Sequence, residues 1–181
     1  HSGVQTNLVG GYFVDENTGY AVGGGGVIVK TTDGARFEQL DLITRNDIPV
    51  GLSEIYCLSA DECWLTGGGE IVYHTTNGGE DWEELDTGNT VASLGGIYFV
   101  DEEKGWVAGQ QTIRHTNDTG ATWATDTTDI SGRTGLIPVA FVRDVHFAGN
   151  AGYAVGDEGL ILRYGEPTAC SAPRHHGRRR R

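Results

Sequence analysis

The 181-residue chain holds 29 glycines against 4 prolines and 38% hydrophobic residues, a composition that suits a turn-rich globular domain and argues against a disordered chain. Its formal net charge is −12, and five of its cations, Arg174 and Arg178–Arg181, crowd the C-terminal tail, so the body is more acidic still and should repel nucleic acid and anionic membrane. No apolar run reaches membrane-spanning length, no signal peptide is visible, and the absence of methionine leads us to expect a chain processed or excerpted from something longer.

After the polar N-terminal stretch SGVQTN, the chain repeats itself. A first unit over about residues 9–45 runs YFVDENTGYAVG, VIVKTT and TTDGARF; a second, 53–90, runs YCLSADECWLTG, IVYHTT and TTNGGEDW. The third, 95–130, runs YFVDEEKGWVAG, TIRHTN and TNDTGATW. The fourth, 142–165, runs HFAGNAGYAVG and LILRY, then stops without an aromatic fourth strand. The aromatics Tyr20, Trp64, Trp106 and Tyr153 mark the period. Each unit reads as four short strands divided by Asp, Asn and Gly turns. Four-stranded units at this spacing are those of propeller blades, so residues 1–166 are expected to form an all-β domain, a β-propeller of about four four-stranded blades; a solenoid is the alternative. Residues 1–8 occupy the place of a fourth strand and would close the ring by completing the last blade. Otherwise the chain is an arc of a larger propeller, or one of two chains, a homodimer, sharing one ring. Residues 167–181, with HHGRRRR, are expected to be a disordered basic tail.

TTNGGEDW, with Thr75, Asn77, Gly79 and Trp82, and TNDTGATW, with Thr116, Asp118, Gly120, Thr122 and Trp123, resemble the turn of the Asp-box, or BNR, repeat family. TTDGARF, with Thr31, Asp33 and Phe37, is one residue short, so its turn is expected to be distorted. A carboxylate or amide there can accept hydrogen bonds from nearby backbone N–H groups, and glycine supplies the φ > 0 the turn needs, so these residues read as structure before ligand contact. With the GYAVG and GWVAG strands, the chain is most similar to propellers of the photosystem II stability/assembly-factor-like group. That resemblance implies a non-enzymatic scaffold that binds a protein partner, although the repeat also occurs in sialidases and other glycosidases.

Where the first and third repeats have Phe13 with Gly19 and Phe99 with Gly105, the second has Cys57 with Cys63. Facing positions of a hairpin replaced together suggest a cross-strand disulfide and an extracytoplasmic setting; buried free thiols are the alternative. Cys170 has no partner in sequence terms. The third strands end on Lys30, His74, His115 and Arg163, a recurrent cation that is either a binding ring or a set of local ion pairs. Arg45, Arg133 and Arg143 sit in the longer inter-blade loops, and a partner is expected at one of these two surfaces. The competing reading is a secreted carbohydrate-active propeller, sialidase-like or a lectin. Asp47 and Asp144 are the only loop carboxylates to nominate as its acid pair. No cofactor or metal is called for, and neither nucleic acid nor membrane insertion is expected.

Overall fold

Short polar side chains set the hairpins from which the molecule is built. Asp15 Oδ1 accepts the amides of Asn17 and Thr18 at 2.7 and 2.8 Å, and Asp101 Oδ1 those of Glu103 and Lys104 at 3.1 and 2.7 Å. Ser59 Oγ does the same for Asp61 and Glu62. Each turn is thereby stapled by the residue that opens it, and the strands on either side are brought into antiparallel register. The structure, a computed structural model, describes residues 3–69, 71–88, 93–110, 112–125, 141–148 and 151–164. Arg133, Cys170 and the tail 167–181 lie outside them.

The first repeat is a meander of β1 (Leu8–Phe13), β2 (Gly19–Gly23), β3 (Ile28–Thr31) and β4 (Glu38–Gln39). A small hairpin follows, β5 (Thr44–Arg45) and β6 (Ile48–Pro49). In sequence terms this segment reads as a plain inter-blade loop. Its turn residues Asn46 and Asp47 have φ of 51° and 61°, a left-handed pair that Asn and Asp tolerate and that two-residue hairpins require. The second repeat comprises β7 (Leu52–Cys57), β8 (Cys63–Gly67), β9 (Ile71–Thr75) and β10 (Glu83–Asp86). The third comprises β11 (Leu94–Phe99), β12 (Gly105–Gly109), β13 (Thr112–Thr116) and β14 (Ala124–Thr125), and the fourth β15 (Val142–Ala148), β16 (Ala151–Gly156) and β17 (Ile161–Tyr164).

These sheets are blades of a β-propeller. The first strands stand side by side in the order β1, β7, β11, β15 around an axis, and the second strands β2, β8 and β12 each pack on the first strand of the next blade. That radial contact separates the fold from a solenoid. The core consists of the seams between blades: Tyr20, Val22 and Ile28 meet Ile55 and Leu65; Trp64 and Val72 meet Leu94, Ile97 and Phe99; Ala108 and Ile113 meet Val142, Val145 and Phe147. Side chains that alternate along one strand thus serve two different seams.

Phe13 pairs with Gly19, Phe99 with Gly105 and Phe147 with Gly152. A Cβ at Gly105 would lie 2.5 Å from the Phe99 ring, so glycine is required for the ring to lie across its partner strand. At the same register in blade 2, Cys57 and Cys63 are bonded, with Cα atoms 4.0 Å apart. The N-terminal segment stays with blade 1. Thr6 Oγ1 donates to the Gly24 carbonyl at 3.2 Å and the Gly24 amide donates to Asn7 O at 3.2 Å. Among the described residues the fourth sheet has three strands, and residues 3–7 add none to it.

Candidate functional site

The boxes serve their own backbone. Asp118 Oδ1 accepts the Thr122 amide at 2.8 Å and the Thr116 hydroxyl at 2.7 Å, and Oδ2 accepts the Thr122 hydroxyl at 2.6 Å. These bonds, led by the hydroxyls of Thr122 and Thr116, hold its pKa below the usual carboxylate range. Asn77 Oδ1 accepts the Asp81 amide at 3.0 Å and the Thr75 hydroxyl at 2.9 Å. The shorter first box keeps the same logic with closer targets: Asp33 Oδ1 accepts the amides of Arg36 and Ala35 at 2.7 and 2.9 Å. Phe37 takes the place of the tryptophan, its ring edge-on to Phe13 at 6.4 Å. Gly79 and Gly120 have φ of 88° and 91°, and each would push a Cβ against a leucine of the preceding blade, Leu40 or Leu85. Trp82 packs on the seam of blades 1 and 2, and Trp123 on that of blades 2 and 3, edge-on to Phe99 at 6.2 Å.

The recurrent cation lies opposite the recurrent aromatic. Lys30 pairs with Tyr20, His74 with Trp64, His115 with Trp106 and Arg163 with Tyr153. Lys30 Nζ donates to the Gly78 carbonyl of blade 2 at 2.8 Å and stands over the Tyr20 ring. His74 stacks on Trp64 with ring centroids 4.4 Å apart, and its Nε2 is 3.4 Å from Glu62 Oε1. Burial lowers its pKa against the opposing pull of Glu62. Lys30 and His74 are therefore tied into the blades and their seams.

Arg45 ends strand β5 of the small hairpin and Arg143 lies in strand β15, so neither sits in a plain inter-blade loop as the sequence suggests. Arg45 Nη2 is 2.9 Å from Glu84 Oε1. Arg143 makes a two-pronged contact with Asp157, Nε to Oδ1 at 2.8 Å and Nη2 to Oδ2 at 3.0 Å, and its guanidinium covers the Phe141 ring at 4.5 Å. That pairing raises the Arg143 pKa and lowers that of Asp157. Both arginines remain substantially exposed.

The concave site lies on the axis. Tyr12, Tyr56, Tyr98 and His146 occupy one register position in the four first strands, and their rings follow one another at 5.0, 4.9 and 4.6 Å. With Glu54 and Asp144 they line a cavity of about 250 Å³. The carboxylates stand at the irregularity that interrupts each first strand, where Gly10 and Gly96 occupy the alternate blades. A Cβ on Gly10 would lie 2.9 Å from Glu54 Cα, and one on Gly96 2.7 Å from Asp144 Cα, so the glycines admit the acid-bearing bulges at backbone contact. Burial, with a smaller push from the Asp144 charge, raises the Glu54 pKa to about 7. Burial likewise raises that of Tyr56. This wall of phenols and carboxylates suits hydrogen-bond donors and cations and disfavours anions.

In sequence terms Asp47 and Asp144 are the loop carboxylates to nominate as an acid pair, but Asp144 lies in strand β15. In the structure the carboxylate beside Asp144 is Glu54, while Asp47 sits at the tip of the exposed hairpin. The signal for Glu54 was present in the aligned column Gly10, Glu54, Gly96, Asp144. Among the described residues no group of three His, Cys, Asp or Glu side chains is placed to hold a metal ion.

The family model described as photosynthesis system II assembly factor YCF48 matches residues 3–93 and 89–165. The chain belongs to that family. Over 113 residues it is 42% identical to the photosystem II assembly lipoprotein Ycf48 of Synechocystis sp., covering 59% of this chain and 31% of that protein. Over 106 residues it is 30% identical to the photosystem II stability/assembly factor HCF136 of Arabidopsis thaliana, covering 57% and 26%. A stretch of 94 residues is 33% identical to a probable oligoxyloglucan-reducing end-specific xyloglucanase of Neosartorya fischeri, covering 50% and 11%. Among solved structures, YCF48 bound to D1 peptide superposes with a TM-score of 0.70 at 19% identity, covering 90% of this chain and 52% of that one. The chain thus spans about half of the solved YCF48 and under a third of these curated YCF48-family relatives.

Proposed function

We propose that this chain is a non-enzymatic, protein-binding propeller that serves photosystem II assembly by holding a segment of a photosystem subunit. The observation that carries the reading is the match of the YCF48 family to nearly all of the described residues. A YCF48 structure that holds a D1 peptide adds the class of partner. The axial wall of Tyr12, Tyr56, Tyr98, Glu54 and Asp144 offers such a segment aromatic faces and acceptors. Arg45 and Arg143 offer donors to its carboxylates. The Cys57–Cys63 bridge and the lipoprotein and chloroplastic relatives support an oxidising, extracytoplasmic setting. Among the described residues no helix is long and apolar enough to cross a membrane. A fluorescent D1 peptide titrated against the folded chain tests the reading by anisotropy. Saturable binding is expected, and it should weaken about tenfold, ~1.4 kcal/mol, in Tyr56→Ala. A folded chain that leaves the anisotropy unchanged overturns it.

One observation favours a second reading. Two carboxylates in one cavity, with Glu54 held near neutrality, resemble the acid and base of a glycoside hydrolase, and the xyloglucanase relative supplies a substrate class. Under that reading the chain releases sugar from xyloglucan oligosaccharides, and both Glu54→Gln and Asp144→Asn abolish the release. No turnover by the folded wild-type chain dismisses it.

A further inference from the structure

The axial wall holds acceptors in place without supplying a cation to them. Glu54 Oε1 accepts the Ile55 amide at 3.3 Å, and Asp144 Oδ1 accepts the Val145 amide at 2.7 Å. Each carboxylate is thereby fixed at its bulge through one oxygen. The other oxygen, Glu54 Oε2 or Asp144 Oδ2, takes no hydrogen bond among the described residues. Neither acid has an ion pair among them. Arg143, next to Asp144 in sequence, turns to Asp157, while Arg45 and Lys30 engage Glu84 and the Gly78 carbonyl.

The phenols add acceptors of a second kind. Tyr12, Tyr56 and Tyr98 are tilted by 54° and 47° to one another, so their rings are not used up in a parallel stack. Tyr98 Oη donates its single proton to Phe147 O at 3.0 Å, and the Tyr56 hydroxyl interacts with those of Tyr98 and Tyr12. Phenol protons are thus drawn along the wall, and ring faces and oxygen lone pairs remain for a ligand. A cation over such rings is attracted by their quadrupoles, most strongly where water is displaced. A metal ion would need more oxygen ligands than two carboxylates supply, and among the described residues no three His, Cys, Asp or Glu come together.

We propose that the axial cavity seats a basic side chain of a bound peptide segment, its cationic head held by Glu54 and Asp144 against the tyrosine rings. The inference rests on the reading of the chain as a peptide-binding propeller and adds which type of residue enters the axis. The cavity, of about 250 Å³, has room for one long side chain. The net charge of −12 draws such a segment in. The wall faces the axis, where a propeller keeps its central channel, so blades added at either end of the arc lengthen it and leave it open. Glu54 and Asp144 sharing the cavity with no cation between them is also why they resist ionising together.

Nuclear magnetic resonance on the folded, nitrogen-15-labelled chain tests this at about pH 8, where Glu54 is ionised. The probe is a capped pentapeptide of four glycines around one arginine; its counterpart carries citrulline, which keeps the shape and loses the charge. The arginine peptide should shift the Ile55 and Val145 amides saturably, and the citrulline peptide should bind at least about tenfold more weakly. Glu54→Gln and Asp144→Asn should each weaken the arginine peptide about tenfold, read at Ile55. Asp144 is exposed, so its variant keeps the test open where Glu54→Gln fails to fold. Equal binding of the two peptides, no saturable shift with arginine, or an unchanged affinity in Asp144→Asn overturns the proposal. The D1 peptide separates the two readings. Arginine binding without D1 binding removes the photosystem reading and keeps this site, whereas D1 binding with arginine and citrulline alike does the reverse.

Discussion

Phe99 lies nearly parallel to Trp64 across the seam of blades 2 and 3, ring centroids 3.9 Å apart and planes 17° apart. His74 stacks on Trp64 from its own blade at 4.4 Å, and both Trp64 and Phe99 are fully buried. Removing one ring therefore opens a cavity in the seam and not in a single sheet. Phe99→Ala should cost about 3–5 kcal/mol, seen as a lower urea midpoint. Trp64 emission should shift to longer wavelength while the other blades keep their strand signal. An unchanged midpoint would mean that the seams do not carry the fold.

The Cys57–Cys63 bridge closes a short loop, its ends at a sequence separation of 6, and occupies the register position of Phe99 and Gly105. Chain-entropy arguments assign so short a loop about 2 kcal/mol. Reduction should lower the melting temperature by a corresponding amount. Cys57→Phe with Cys63→Gly rebuilds the pair of the neighbouring blade and should recover much of the loss under reducing conditions, whereas Cys57→Ser with Cys63→Ser should not. Equal melting of the two double variants would show that ring-over-glycine packing does not substitute for the bond.

Glu54 makes stability depend on pH in the direction opposite to the box carboxylates. Its folded pKa is about 7, above the ordinary glutamate value of 4.5, so between those values the native state holds a proton that the unfolded chain has lost. Stability from this site is full below about pH 4.5 and declines as pH rises to about 7. After discount for partial exposure the loss is about 1–2 kcal/mol. Asp33 and Asp118, with lowered pKa values, act the other way and gain stability as pH rises through the acid range. The difference between wild type and Glu54→Gln isolates the axial term: the variant should gain on wild type between pH 4.5 and 8. A pH-independent difference in melting temperature would remove Glu54 as the cause.

The features legible in the sequence are those whose physics is local or repeated. Asn77 and Asp118 bond amides within four residues, so the boxes disclosed blades and period without tertiary information. The disulfide was legible because the repeats supply their own alignment, Cys57 and Cys63 replacing a Phe–Gly pair. The axial cavity was hidden for the converse reason. Tyr12, Tyr56, Tyr98 and His146 are far apart in sequence and meet only because four first strands converge. Glu54 passes for a surface acid until burial at that axis gives it a neighbour in Asp144. The cations at Lys30 and His74 were visible as a column, but their engagement across and within seams depends on how blades stack. Arg133 lies outside the described residues, so its place on the loop face stays a proposal.

Asp118 separates a structural box from a binding one. Its carboxylate takes three bonds from Thr116 and Thr122, all within its own turn. Asp118→Ala strands the Thr122 amide and should lower the melting temperature; Asp118→Asn keeps an acceptor at Oδ1 and should lower it less. Neither change should alter D1-peptide affinity, because the box oxygens are already occupied. Arg143→Ala is the contrasting variant. It breaks an exposed ion pair with Asp157 and should leave stability nearly unchanged while weakening the peptide. Anisotropy titrations on the three folded variants read both expectations together. Weaker binding in Asp118→Asn with none in Arg143→Ala would move the site from Arg143 to the box turns.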